Sequence, residues 1–271
     1  MQNSILAELN PLEHVVVVPL FDFTVGALHV VFSNHMFMVG VATALLLVLV
    51  PLAMRSPKLV PGGGQNLIES ICVYLRDDMA KPVLHELTDK YIGFLWTIFF
   101  FILTLNLLGM IPTDRFVTLF SQLVTGSDKA SHLGGAATAN IWVTGGLAMT
   151  VFVVTHAAGI REQGLLPYLK NIAPPAPVWL LPLIYPLELI SHMVRPFTLA
   201  VRLFANMVAG HMVLATLLGL ILLFQNIGVA GLSIAAAVAL SFLELLVAFL
   251  QAYVFTFLAT LYIGASVSPE H

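Results

Sequence analysis

VWLLPLIYPLELISHMVRPFTLAVRLFANMVAGHMVLATLLGLILLF, Val178 to Phe224, is a nearly unbroken apolar stretch of about 47 residues. A transmembrane helix needs roughly 20 such residues to cross a hydrocarbon core of about 30 Å. A second run, Val229 to Ala265, follows a short break around Gln225 to Gly228 and is about 37 residues long. As one helix it would measure roughly 55 Å, so it must tilt or bend well beyond the usual 20° or so to stay in the core. The alternative divides each run into two ordinary spans, with breaks near Gly210 and Gln251, and hydropathy leaves both readings open. Either way the chain belongs in a bilayer. Of its 271 residues 59% are apolar and 9% charged, with a mean hydropathy of +0.97, whereas a soluble domain carries about 25% charged residues.

Working upstream, three more spans read out. Asn34 to Met54 is apolar over the required length and ends at Arg55-Ser56-Pro57-Lys58, Tyr91 to Ile111 closes at Pro112, and Thr138 to Ile160 precedes a proline-rich loop from Arg161 to Pro177. That loop contains Pro167, Pro174, Pro175 and Pro177, so it cannot be helical throughout. Pro61-Gly62-Gly63-Gly64 reads as a linker. Between Gln65 and Leu87, Ile68, Ile71, Cys72, Leu75 and Met79 recur at helical spacing while Glu69, Arg76, Asp77 and Lys81 take the other face. This pattern predicts an amphipathic helix at the membrane surface, the alternative being a solvated linker helix. The expected fold is thus an all-α polytopic membrane protein with about five transmembrane helices. Its parts are an N-terminal segment 1–33, a three-span region 34–160 with a surface helix over 65–87, and two last helices over 178–265.

Lys and Arg set the orientation. None precedes the first span, five lie between Arg55 and Lys90, and the later loops hold Arg115 with Lys129, then Arg161 with Lys170. The positive-inside rule places the N-terminus outside, the Arg55–Lys90 segment in the cytoplasm and, after five crossings, the C-terminus inside. Met1 to Phe23 has no Lys or Arg and no apolar core of signal-peptide length, so nothing there reads as cleavable. The single cysteine, Cys72, excludes an internal disulfide and a cysteine-built metal cage.

Only Arg195, Arg202, Glu188 and Glu244 place a full charge inside the apolar runs. A charge at the bilayer centre costs between about 2.5 and 17 kcal/mol, so each is a functional candidate by default. Glu188, Arg195 and Arg202 are seven apart, and His192 and Asn206 follow Glu188 and Arg202 by four, so all five share one helical face. His211 lies about half a turn out of phase. Glu244 and Gln251, again seven apart, make a second stripe that Tyr262 continues. A purely structural reading pairs Glu188 with Arg195 or His192 as interhelical glue, and Arg195, beside Pro196, can snorkel. Arg202 has no carboxylate within one turn of its own segment.

Arg195-Pro196-Phe197-Thr198-Leu199-Ala200-Val201-Arg202-Leu203-Phe204-Ala205-Asn206-Met207-Val208-Ala209-Gly210-His211 closely resembles the signature of subunit a of F-type ATP synthases. The likeness extends to Glu188, Glu244, Gln251, Tyr262 and, upstream, Asn106-Leu107-Leu108-Gly109-Met110-Ile111-Pro112, about two thirds of the chain. It implies two long, strongly tilted last helices that wrap a ring of c subunits. It also implies an essential arginine at Arg202, an outer half-channel pair at His211 and Glu244, and supporting roles for Arg195, Tyr262 and Asn106. The partners it implies are the c ring, the b subunits of the peripheral stalk and membrane lipid, in a bacterial inner membrane, with no cofactor, metal or nucleic acid. Gly109 departs from the pattern, since some members carry an aspartate there.

Arginine stays protonated and cannot relay a proton. It can favour the ionised form of a carboxylate brought within about 4 to 6 Å, so a c-ring carboxylate reaching Arg202 would release its proton to one channel and later collect another from the opposite one. On the expected topology Glu188 and His192 belong to the cytoplasmic half-channel and His211 and Glu244 to the outer one, with Asn206 and Gln251 further ion-translocation candidates. Two other classes compete. A secondary transporter would show paired repeats, and a histidine-ligated membrane metalloenzyme is the other use for nine histidines. No Walker-type phosphate loop occurs, so the chain is expected to bind no nucleotide and to be no enzyme by itself.

Overall fold

A computed structural model describes residues 19–25, 28–55, 62–111, 135–171 and 179–267. An antiparallel hairpin, β1 (Pro19–Val25) and β2 (Leu28–Ser33), runs into helix α1 (Asn34–Ala53). Pairing runs from Phe21 opposite Phe32 to Val25 opposite Leu28, with an irregularity between Pro19 and Phe21. Then come α2 (Gly64–Tyr74), a π-helical turn (Leu75–Ala80), α3 (Lys81–Leu84) and a 3-10 turn (His85–Leu87). The remaining helices are α4 (Thr88–Met110), α5 (Ile141–Gln163), α6 (Leu165–Asn171), α7 (Leu181–Phe224) and α8 (Ile227–Val267). Five helical stretches are long and apolar enough to cross a membrane, as expected of an all-α polytopic protein. The hairpin is the one non-helical addition among the described residues. The loop that holds Arg115 and Lys129 lies outside them, as do Ser56 to Pro61 and the prolines at 174–177.

α7 and α8 are continuous over 44 and 41 residues, so the chain does not break at Gly210 or Gln251. The only interruption is the two-residue turn Gln225-Asn226, where Gln225 takes φ 47° and the Asn226 side chain accepts from the Gly228 amide at 2.8 Å. Each helix is roughly 60 Å long, about twice the hydrocarbon thickness. Pro186 and Pro196 lie inside α7. Each withholds one N–H from the helical ladder, yet the helix continues through both.

The surface-helix expectation is met in its facing and corrected in its continuity. Leu75 and Met79 are buried, Ile68, Ile71 and Cys72 half-buried, and Glu69, Arg76, Asp77 and Lys81 exposed. The segment is not one helix, however: it passes through the π-helical turn and bends at His85, whose φ is 49°, before joining α4. α5 also runs three residues past the expected Ile160, and the chain turns at Gly164, with φ 84°, into α6.

The chain packs as two compact units, each built from halves of the long helices. The first comprises residues 1–45, 102–143 and 202–251, the second 46–101, 144–201 and 252–271. In the first, Met207 packs with Ala136, Ala139, Met110 and Val208. In the second, Trp96 Nε1 donates to the Cys72 carbonyl at 3.0 Å, tying α2 to α4. There too, Ser266 Oγ donates to the Thr155 carbonyl at 2.8 Å and Gln163 Nε2 to the Ser266 carbonyl at 2.7 Å, binding α8 to α5.

Candidate functional site

In the first unit α7 contributes Arg202, Asn206 and His211, α8 contributes Glu244 and Gln251, and α4 contributes Asn106. Arg202 is exposed and forms no ion pair among the described residues. Leu203 and Met207, on the neighbouring stripe, are buried, so packing holds the helix while the guanidinium faces away from the unit's own core. Gln251 and Asn106 are buried, and Asn106 Nδ2 donates to the Ala248 carbonyl at 3.2 Å. The Glu244 carboxyl lies against Gly210: a Cβ on that glycine would sit 2.5 Å from Glu244 Oε1 and 3.1 Å from its Cδ. Gly210 immediately precedes His211, so the acid of α8 meets α7 at the residue before the histidine. Glu244 Oε1, Gln251 Nε2 and Asn106 Oδ1 are buried with no hydrogen-bond partner among the described residues. Buried polar atoms generally find partners, so these three are open to a polar group from outside the chain's described residues.

Gly109 explains its own departure from the aspartate pattern. A Cβ there would lie 2.2 Å from Met207 Cε and 3.0 Å from Ala136 Cβ. The thioether occupies the space a longer side chain would need.

In the second unit α7 contributes Glu188, His192 and Arg195, and α8 contributes Tyr262. Arg195 donates from Nη2 to Glu188 Oε1 at 3.3 Å and stands over the Tyr262 ring, 5.2 Å from its centroid. His192 Nδ1 is 3.5 Å from the same carboxylate oxygen and 2.9 Å from the Glu188 carbonyl. The seven- and four-residue spacings thus bring two charges and an imidazole to one patch, as a shared helical face requires. A cavity opens beside it, lined by His156, His192, Arg195, Thr155 and Tyr262. His156, on α5, was not singled out by its own spacing. Its contact with His192 crosses between helices, and only a signal linking positions 156 and 192 could have shown it. At one end of the same unit, Lys90 and Tyr91 both bond Glu162, and Arg76 bonds Asp89 at 2.7 Å. Among the described residues no group of three or more metal-ligating side chains forms.

The family model for the ATP synthase A chain matches residues 36–264, most of the chain. The chain belongs to that family. ATP synthase subunit a of Myxococcus xanthus is 40% identical over 91% of this chain and 76% of its own length. The subunit a sequences of Chloroherpeton thalassium and Maricaulis maris are 36% and 35% identical, over 97% and 98% of this chain and 78% and 100% of theirs. Membership makes this a multi-pass subunit of the membrane sector of ATP synthase, the proton-channel subunit of that complex, and leaves no support for the transporter and metalloenzyme alternatives. The continuous α7 and α8 meet the long-helix expectation that the subunit a resemblance carried.

Proposed function

We propose that Arg202 is the charge that meets a carboxylate on a ring of c subunits, with one aqueous half-channel served by each compact unit. The observation that carries this reading is the exposure of Arg202 on an apolar helix without a carboxylate of its own among the described residues. A charge left so in hydrocarbon is costly, and a carboxylate arriving from another chain removes that cost while its own ionised form is favoured. The long helices agree: only 6% of the apolar window of α7 and 11% of that of α8 is buried within the chain, against 44% for the stretch containing α4. Their surfaces are free for a partner.

The outer half-channel is formed by His211, Glu244, Asn206, Gln251 and Asn106, the inner by Glu188 and His192 with Arg195 and Tyr262 supporting. The chain moves protons, binds no nucleotide and performs no bond chemistry; b subunits anchor it against the torque of the ring. It sits in a bacterial inner membrane with its N-terminus outside and its C-terminus in the cytoplasm. The test is to reconstitute complexes carrying Arg202→Ala or Arg202→Lys in vesicles. ATP-driven acidification is expected to vanish in the first and nearly so in the second, since an ammonium lacks the planar fork and loses its proton when desolvated. Passive decay of an imposed gradient is expected to quicken. Robust ATP-driven acidification by Arg202→Ala would sink the mechanism.

A further inference from the structure

The geometry points to His156 and His192 as a single proton site, two imidazoles sharing one exchangeable proton beside Glu188, which makes His156 a proton-relay residue of the inner half-channel. This rests on the half-channel reading above. The tautomers follow from the partners: His156 Nδ1 lies 2.9 Å from the Phe152 carbonyl and His192 Nδ1 2.9 Å from the Glu188 carbonyl. A carbonyl only accepts, so each Nδ1 carries a hydrogen and each Nε2 is the nitrogen left to take up a proton. The rings stand 5.9 Å apart, centroid to centroid, at 77°, and both line the same cavity.

The surroundings favour one proton over two. The groups facing the pair are Glu188 and Arg195 on α7, Tyr262 on α8 and Tyr168 on α6, whose ring is 6.0 Å from His156. Arg195 already balances Glu188, so a first proton on the pair adds one net charge to a poorly solvated patch. A second would add another within a few ångströms. Sites coupled this closely titrate as a unit rather than as two residues.

The cavity wall is mostly apolar, and Thr155 lines it while Tyr168 packs on the far side of His156. Thr155 Oγ1 and Tyr168 Oη are buried without a hydrogen-bond partner among the described residues. Pro196, on the cavity wall, has no N–H to offer the His192 carbonyl one turn before it.

The experiment measures ATP-driven proton uptake by the assembled complex in inverted vesicles, with outside pH varied from about 6 to 8. Protons are then collected through the inner half-channel, and collection limits the rate at the alkaline end. His156→Gln is expected to lower uptake on the order of tenfold near pH 8 and to approach the wild-type rate near pH 6. His192→Gln should do the same, and the double variant should be no slower than either single. A His156→Gln profile that superimposes on wild type, or effects that multiply in the double variant, overturns the shared site. If both His156→Gln and His156→Asn fail to assemble, the residue is structural and the inference falls. Arg202→Ala serves as the control: it should abolish uptake at every pH, and if it does not, the half-channel reading itself is what has failed.

Discussion

Glu244 can approach α7 only because residue 210 has no side chain. A methyl group there would fall 2.5 Å from the carboxylate oxygen, so Gly210→Ala should push the acid aside and slow outward-facing proton uptake about tenfold or more without loss of assembly. The proposed pairing of His211 with Glu244 makes a sharper demand. Replacing either by leucine should slow gradient-driven ATP synthesis severely, whereas exchanging the two should retain more activity than the product of the single losses. An exchange variant no better than that product, measured by ATP synthesis under an imposed gradient, would remove the direct pairing. Arg202, Glu188 and Arg195 were legible because charge is scarce in this chain and the helical repeat puts residues seven apart on one face. His156 was not, because its significance lies in a contact between positions 156 and 192.

At the scale of helices, close approach at small residues decides what each crossing admits. Gly109 on α4 faces Met207 on α7, and the Met207 Cε would lie 2.2 Å from a Cβ. Gly109→Asp should therefore lower the melting temperature of the complex, at a cost of about 1–3 kcal/mol for overpacking. Gly109→Asp with Met207→Ala should recover most of that loss by clearing the space. If the single substitution leaves the thermal transition unmoved, the thioether is not what excludes a side chain at 109. The crossing itself lay beyond sequence reasoning, since periodicity says which face a residue takes and not which helix it meets. The lengths of α7 and α8 were legible as runs, yet their continuity was not, because Gly210 and Gln251 look the same to hydropathy inside a helix or at a break. The hairpin was readable in principle. Phe21-Asp22-Phe23-Thr24-Val25 alternates in polarity as a strand does, but windows sized for membrane spans pass over so short a signal.

For the molecule as a whole, helix continuity and orientation are one question, because each crossing reverses the side on which the next loop emerges. If α7 crosses once, three crossings separate Gly62 from Ile227, by way of α4, α5 and α7, and the two residues emerge on opposite faces. If the 178–224 run instead made two crossings, four would separate them and they would emerge on the same face. Both residues suit labelling, since Gly62 is exposed before α2 and Ile227 is 94% exposed at the start of α8. In a Cys72→Ser background, Gly62→Cys should react with a membrane-impermeant maleimide only in inverted vesicles. Ile227→Cys should react only in right-side-out ones. Reaction of both on the same face would mean that α7 does not traverse as one helix. Reaction on opposite faces in the reverse sense would keep the helix and overturn the orientation, and with it the assignment of Glu188 and His192 to the cytoplasmic channel. The charge distribution favours the expected sense: Arg76, Lys81, Lys90 and Arg161 all belong to the unit that contains Gly62, and basic residues near short loops are held on the cytoplasmic side.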